Sequence, residues 1–116
     1  MKQLMQYRYG KGYLVGYYSY FLSLGSNQGD REHFLTQGIK HISQLKNLQV
    51  TKRSKLYETS PVNCVAGDPN FLNMALECHS SIEPNIFLAT LKSIENNLGR
   101  RSDKRNAPRN LDIDII

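Results

Sequence analysis

An α+β fold with the element order β-α-β-β-α-β follows from three features of the sequence. Two segments carry apolar residues at helical spacing: Leu35, Ile39, Ile42 and Leu45 in one, Phe87, Leu91, Ile94 and Leu98 in the other. Four further segments read as strands, and Phe71 to His79 alternates cleanly between its two faces. Helices with one apolar stripe and strands with one apolar face pack most simply as two layers. That is a ferredoxin-like sandwich: an antiparallel four-stranded sheet with two helices on one face and the other face open.

Taken in order, residues 1–17 form a Tyr/Gly-rich N-terminal extension, with Tyr7, Tyr9, Tyr13 and Tyr17 among Gly10, Gly12 and Gly16. It reads as a flexible arm, an added edge strand, or residues upstream of an ancestral start. The domain proper is residues 18–116. Tyr18 to Leu24 is a strand buried on both sides, closed by Gly25-Ser26-Asn27. Asp30 is a sound N-cap for the first helix, which Gly38 weakens by about 1 kcal/mol relative to Ala. Leu48 to Tyr57 is the next strand, imperfectly alternating, and Ser60 to Pro69 is a loop marked by Pro61, Gly67, Asp68 and Pro69. In the third strand Leu72, Met74, Leu76 and Cys78 share one side, and Phe71, Asn73, Ala75, Glu77 and His79 the other. Pro84 opens the second helix at its favoured first position, and Gly99 suits its C-terminal cap. Leu111 to Ile116 is the last strand.

The 116 residues suffice for one domain with a real core and are too few for two. Charged residues at 22% and hydrophobic residues at 40% are ordinary for a globular chain, which argues against overall disorder. The net charge of +5 fits an anionic partner without choosing between nucleotide and nucleic acid. Cys64 and Cys78 lack any zinc-ligand spacing, so a reducing cytoplasm is expected and zinc is not. No apolar run approaches the ~20 residues that span a bilayer.

The chemistry concentrates at the end of the chain. Leu111, Ile113 and Ile115 alternate with Asp112 and Asp114, so both carboxylates point one way from the strand. Carboxylates within about 7 Å repel unless a cation lies between them. Oxygen-only ligands suit Mg²⁺, which typically completes its octahedron with waters and substrate phosphates. Arg100, Arg101, Lys104, Arg105 and Arg109, just upstream, supply a grip on phosphate. A solvated edge strand would show the same Asp-x-Asp. With the apolar positions under the helices, Phe71, Asn73, Asp112 and Asp114 share the open face.

Five motifs in order carry a family resemblance: Gly25-Ser26-Asn27, Tyr57-Glu-Thr-Ser-Pro61, Asn70-Phe-Leu-Asn-Met-Ala75, Ile94-Glu-Asn-Asn-Leu-Gly-Arg100 and Pro108-Arg-Asn-Leu-Asp-Ile-Asp114. Together they resemble the 6-hydroxymethyl-7,8-dihydropterin pyrophosphokinases of folate biosynthesis over about residues 19–116. The resemblance implies transfer of pyrophosphate from ATP to the pterin hydroxymethyl group with release of AMP. It implies that Asp112 and Asp114 hold two Mg²⁺ ions, while Arg100 and Arg109 act catalytically on the phosphates. Arg101 and Arg105 would lie in a loop over ATP, with Glu95 near the nucleotide. Thr59 and Pro61 would line the pterin pocket, Phe71 would stack on the ring, and Asn73 would bond its amide edge. The implied partners are ATP and hydroxymethyl-dihydropterin, with no membrane and no nucleic acid, in a monomer or weak dimer.

Two departures from the family pattern stand out. Asn106 and Ala107 replace a Trp-Gly pair common in relatives, and the chain stops at Ile116, where relatives continue for several tens of residues. The expectation is a metal site with a half-built pocket, binding Mg-ATP weakly and turning over poorly. The alternatives are a catalytically impaired truncated remnant that pairs through a sheet edge, and an RNA-binding module of the same topology.

Overall fold

The computed structural model describes residues 2–9, 12–60, 70–98 and 110–116. The chain runs β1 (Lys2–Tyr9), β2 (Gly12–Ser26), α1 (Arg31–Ser43), β3 (Leu48–Arg53), β4 (Tyr57–Thr59), β5 (Phe71–Ser80), α2 (Pro84–Asn97) and β6 (Asp112–Ile115). All strand pairings are antiparallel, and both helices pack on one face. The two-layer α+β architecture is the expected one. The sheet differs from the four strands expected, because the described residues form six.

Register explains how six strands fit. β2 and β5 lie at the centre, joined from Tyr18↔Ser80 to Ser26↔Leu72. Tyr18 also pairs with Lys2, and Leu22 also pairs with Ile115, so β1 and β6 share the other edge of β2. On the far side of β5, β3 pairs with its second half and β4 with its first. Four strand positions therefore hold six strands. Residues 2–9 add a hairpin strand, and β2 runs without a break across position 17/18. The long strand expected from Leu48 to Tyr57 is two strands. A register shift between Val50 and Lys52 lies within β3, and the ladder stops after Arg53, where Ser54 binds Ala75 through both its backbone N–H and its hydroxyl.

The helices begin and pack as their residues dictate. Asp30 caps α1 by accepting from the backbone N–H of His33. α2 starts at Pro84, whose missing N–H costs nothing there. Leu35, Ile39 and Ile42 of α1 and Phe87, Leu91 and Ile94 of α2 meet Tyr20, Leu22, Leu24, Leu76, Cys78 and Ile113 of the sheet. Gly38 is buried where α1 comes closest to the sheet: a Cβ there would lie 2.9 Å from Leu111 Cδ2. The glycine that weakens the helix locally thus permits its close approach. Gly99, the expected cap of α2, lies outside the described residues.

The core takes one side of each strand, which leaves the other to the site. Leu24, Met74 and Ile113 face the helices, so Gly25, Asn73 and Asp112 face away.

Candidate functional site

One cross-strand row organises the open face: Asp112, Gly25, Asn73 and Tyr57 stand side by side on β6, β2, β5 and β4. The next row along β2 sets Asp114 beside Ser23 and Ala75. On the other side of it, Thr59 pairs with Phe71. Together these rows enclose a cavity of about 330 Å³ lined by Ser23, Gly25, Thr59, Ser60, Phe71, Asn73, Asp112 and Asp114. Adjacent strands lie about 4.8 Å apart, so the acidic and amide ends are separated by roughly 10 Å.

The amide end is held rigidly. Asn73 Nδ2 donates to Thr59 Oγ1 at 2.8 Å, with longer contacts to the Tyr57 and Phe71 carbonyls at 3.3 and 3.4 Å. Its Oδ1 is turned toward Gly25, where a Cβ would sit only 3.1 Å from it and 3.4 Å from Phe71 Cδ1. Gly25 therefore serves as an open floor between the amide and the ring. The arrangement presents an acceptor, a hydroxyl and an aromatic face to a flat polar ligand.

The acidic end is built differently. Asp112 is half-buried and Asp114 exposed on one face of β6. From α2, Lys92 Nζ reaches Asp114 Oδ1 at 3.3 Å. The same ammonium donates to the Ile113 carbonyl at 2.9 Å and contacts Glu95 Oε2 at 3.0 Å. Among the described residues no group of three or more His, Cys, Asp or Glu converges. Two carboxylates alone suit a hard divalent ion that takes its remaining oxygens from water or a bound phosphate.

Of the residues the sequence marks for the site, Thr59, Phe71, Asn73, Asp112 and Asp114 come together around this cavity. Pro61, Arg100, Arg101, Arg105 and Arg109 lie outside the described residues. Glu95 has a setting other than the nucleotide-facing one expected. It is fully buried, and its carboxylate accepts from the Ile113 N–H. Ser23 and Ser60 were not anticipated. Ser23 follows from strand parity, being two residues before Gly25, whereas nothing in the residue pattern marks Ser60. Lys92 was also missed, and its place three residues before Glu95 is the available clue.

Comparison with known proteins then settles the lineage. The family model described as 7,8-dihydro-6-hydroxymethylpterin-pyrophosphokinase (HPPK) matches residues 21–116. The chain belongs to this family. It is 43% identical over 96 residues to the 2-amino-4-hydroxy-6-hydroxymethyldihydropteridine pyrophosphokinase of Bacillus subtilis, covering 83% of this chain and 57% of that protein. The protein of the same name in Aquifex aeolicus is 33% identical over 96 residues, covering 83% of this chain and 58% of its own length. A mitochondrial folate synthesis bifunctional protein of Pisum sativum is 38% identical over 95 residues, covering 82% of this chain and 18% of that protein. The chain thus spans somewhat more than half the length of these two bacterial relatives. No described helix is long and apolar enough to cross a membrane.

Proposed function

We propose that this chain carries the pterin and metal sites of an HPPK enzyme, transferring pyrophosphate from ATP to 6-hydroxymethyl-7,8-dihydropterin and releasing AMP. The observation that supports this most is the shared cavity: Phe71 and Asn73 at one end, Asp112 and Asp114 at the other. A pterin lying against Phe71 would direct its amide edge to Asn73 Oδ1, because Nδ2 is already committed to Thr59. Its hydroxymethyl group would then point along the row toward Asp112.

The donor set at the acidic end fits Mg²⁺, up to two ions, held by Asp112 and Asp114 with ATP phosphates. Such ions would neutralise charge on the transferring pyrophosphoryl group. The chain's own contribution is placement. Transfer of this kind depends on positioning and electrostatic stabilisation more than on a side-chain base. Arg100 and Arg109 would act on the phosphates, with Arg101 and Arg105 over the nucleotide and Pro61 beside the pterin. A cytoplasmic monomer or weak dimer acting on these two small molecules, away from membrane and nucleic acid, completes the reading.

The test is ATP titration by calorimetry with and without Mg²⁺, followed by pterin-dependent AMP release. Mg²⁺-dependent binding that Asp112→Asn abolishes supports the assignment. Binding indifferent to Mg²⁺ and to both aspartates overturns it.

A further inference from the structure

Ile113 stands between the two site aspartates, with its side chain fully buried beneath α2. Its backbone groups turn away from β2, and both are taken by α2. The N–H donates to Glu95 Oε2, and the carbonyl accepts from Lys92 Nζ at 2.9 Å. Lys92 and Glu95 are themselves an ion pair at 3.0 Å, three residues apart on the helix. One helical turn therefore supplies the donor and the acceptor that a neighbouring strand would supply, at one residue only.

That device is costly for an edge strand. Water would satisfy an exposed edge peptide, whereas enclosing a carboxylate completely demands a partner charge and good hydrogen bonds. What the enclosure does provide is geometry. With both polar groups of Ile113 fixed, the pleat that projects Asp112 and Asp114 onto the open face is fixed too. Lys92 also touches Asp114 directly, so the helix restrains the acidic end at two points.

We propose that Glu95, with Lys92 as its counter-ion, is a positioning residue for the Asp112/Asp114 pair, acting through the Ile113 peptide. The proposal rests on the reading of those aspartates as divalent-ion ligands. Partners one step removed from a metal typically change its affinity by about 10–100-fold. Lys92 is a poor place to test this, because removing its charge also relieves Asp114 of a competing cation. Glu95 separates position from charge: Gln keeps an acceptor for Ile113 without the charge, and Leu keeps neither.

The experiment uses the full chain with Mn²⁺ and a non-hydrolysable ATP analogue, following Mn²⁺ by water-proton relaxation and the Ile113 amide by hydrogen exchange. Glu95→Gln should hold Mn²⁺ affinity within about threefold and keep Ile113 protected. Glu95→Leu should release the amide and weaken Mn²⁺ by about tenfold. If Leu does not fold, as judged by circular dichroism, Glu95→Met fills the same space with an unbranched chain. Wild-type Mn²⁺ affinity in a folded Leu or Met variant with a released amide overturns the proposal. So does equal loss in the Gln and Leu variants, which would make charge the cause. Asp114→Asn, run alongside, distinguishes the two levels. If it leaves Mn²⁺ binding unchanged, the metal reading itself falls and the proposal with it. If it abolishes binding while the folded Leu variant keeps wild-type Mn²⁺ affinity, positioning alone falls.

Discussion

Gly25→Ala is the sharpest probe of the cavity floor. A methyl group there would lie 3.1 Å from Asn73 Oδ1 and 3.4 Å from Phe71 Cδ1. The first contact is too close, so the amide must give by a few tenths of an ångström. Its freedom to do so is limited, because Nδ2 is tied to Thr59 at 2.8 Å. The backbone itself does not resist the change: Gly25 is in a strand, and the positive-φ glycines described are Gly16 and Gly29. Removing a glycine's freedom in the unfolded chain contributes about 0.4–1 kcal/mol of stability where the conformation is compatible. The strain at Asn73 opposes this gain, so thermal stability should change by no more than about 1 kcal/mol in either direction. Pterin binding should suffer instead. A disturbed hydrogen bond costs about 1 kcal/mol, and one intruding methyl in a filled site costs at least about 1 kcal/mol more. Together they weaken affinity by about thirtyfold. Fluorescence titration of the pterin, with a non-hydrolysable Mg-ATP analogue present, measures this against a melting curve. A stable Gly25→Ala chain that binds pterin like the wild type would refute the placement of substrate between Phe71 and Asn73.

Other perturbations test other links. Asp114→Asn should reduce Mg²⁺-dependent ATP affinity by at least about tenfold. The same change should alter urea stability by less than about 0.5 kcal/mol, because its ion pair with Lys92 is exposed. Gly38→Ala, favourable in an isolated helix by about 1 kcal/mol, should destabilise this chain by about 1 kcal/mol net. Leu111 and Leu24, which its methyl would meet at 2.9 and 3.3 Å, are both buried. Phe87→Ala should cost about 3–5 kcal/mol in urea unfolding, since the ring is fully buried against Tyr20. Burial pushes the Cys78 thiol up to about 12 from 9.0, and the Tyr20 hydroxyl up to about 12 from 10.0. The folded chain then keeps protons that the unfolded chain has lost, so stability is complete below pH 9 and declines as pH rises toward 12. Melting curves across that range should show the decline, and Cys78→Ala should remove its lower part.

Much of this was legible in the residue pattern because the strands' period of two is unambiguous where one face is apolar. β5 and β6 obey it, so the sides of Phe71, Asn73, Asp112 and Asp114 followed directly. Asp30 announced α1 and Pro84 announced α2. The break between β3 and β4 is hidden, because residues 54–56 hold no Gly or Pro to mark it and the bulge at Thr51 already blurs the alternation within β3. The added edge strand, β1, is one of three readings that residues 1–17 leave open, since tyrosines and glycines serve arms and edge strands alike. Glu95 is the instructive case. A glutamate inside a family motif implies a place near the nucleotide, and nothing in the residue pattern shows its carboxylate turned inward onto a peptide of β6. Pairing of this kind joins residues 18 apart in sequence and leaves no periodic trace.

Anomalous scattering from crystals grown with Mn²⁺ and a non-hydrolysable ATP analogue would locate the divalent ion itself. At least one peak is expected within about 2.0–2.2 Å of carboxylate oxygens from Asp112 and Asp114, close to phosphate on the open face of the sheet. Bound nucleotide with no metal at these two carboxylates would contradict it.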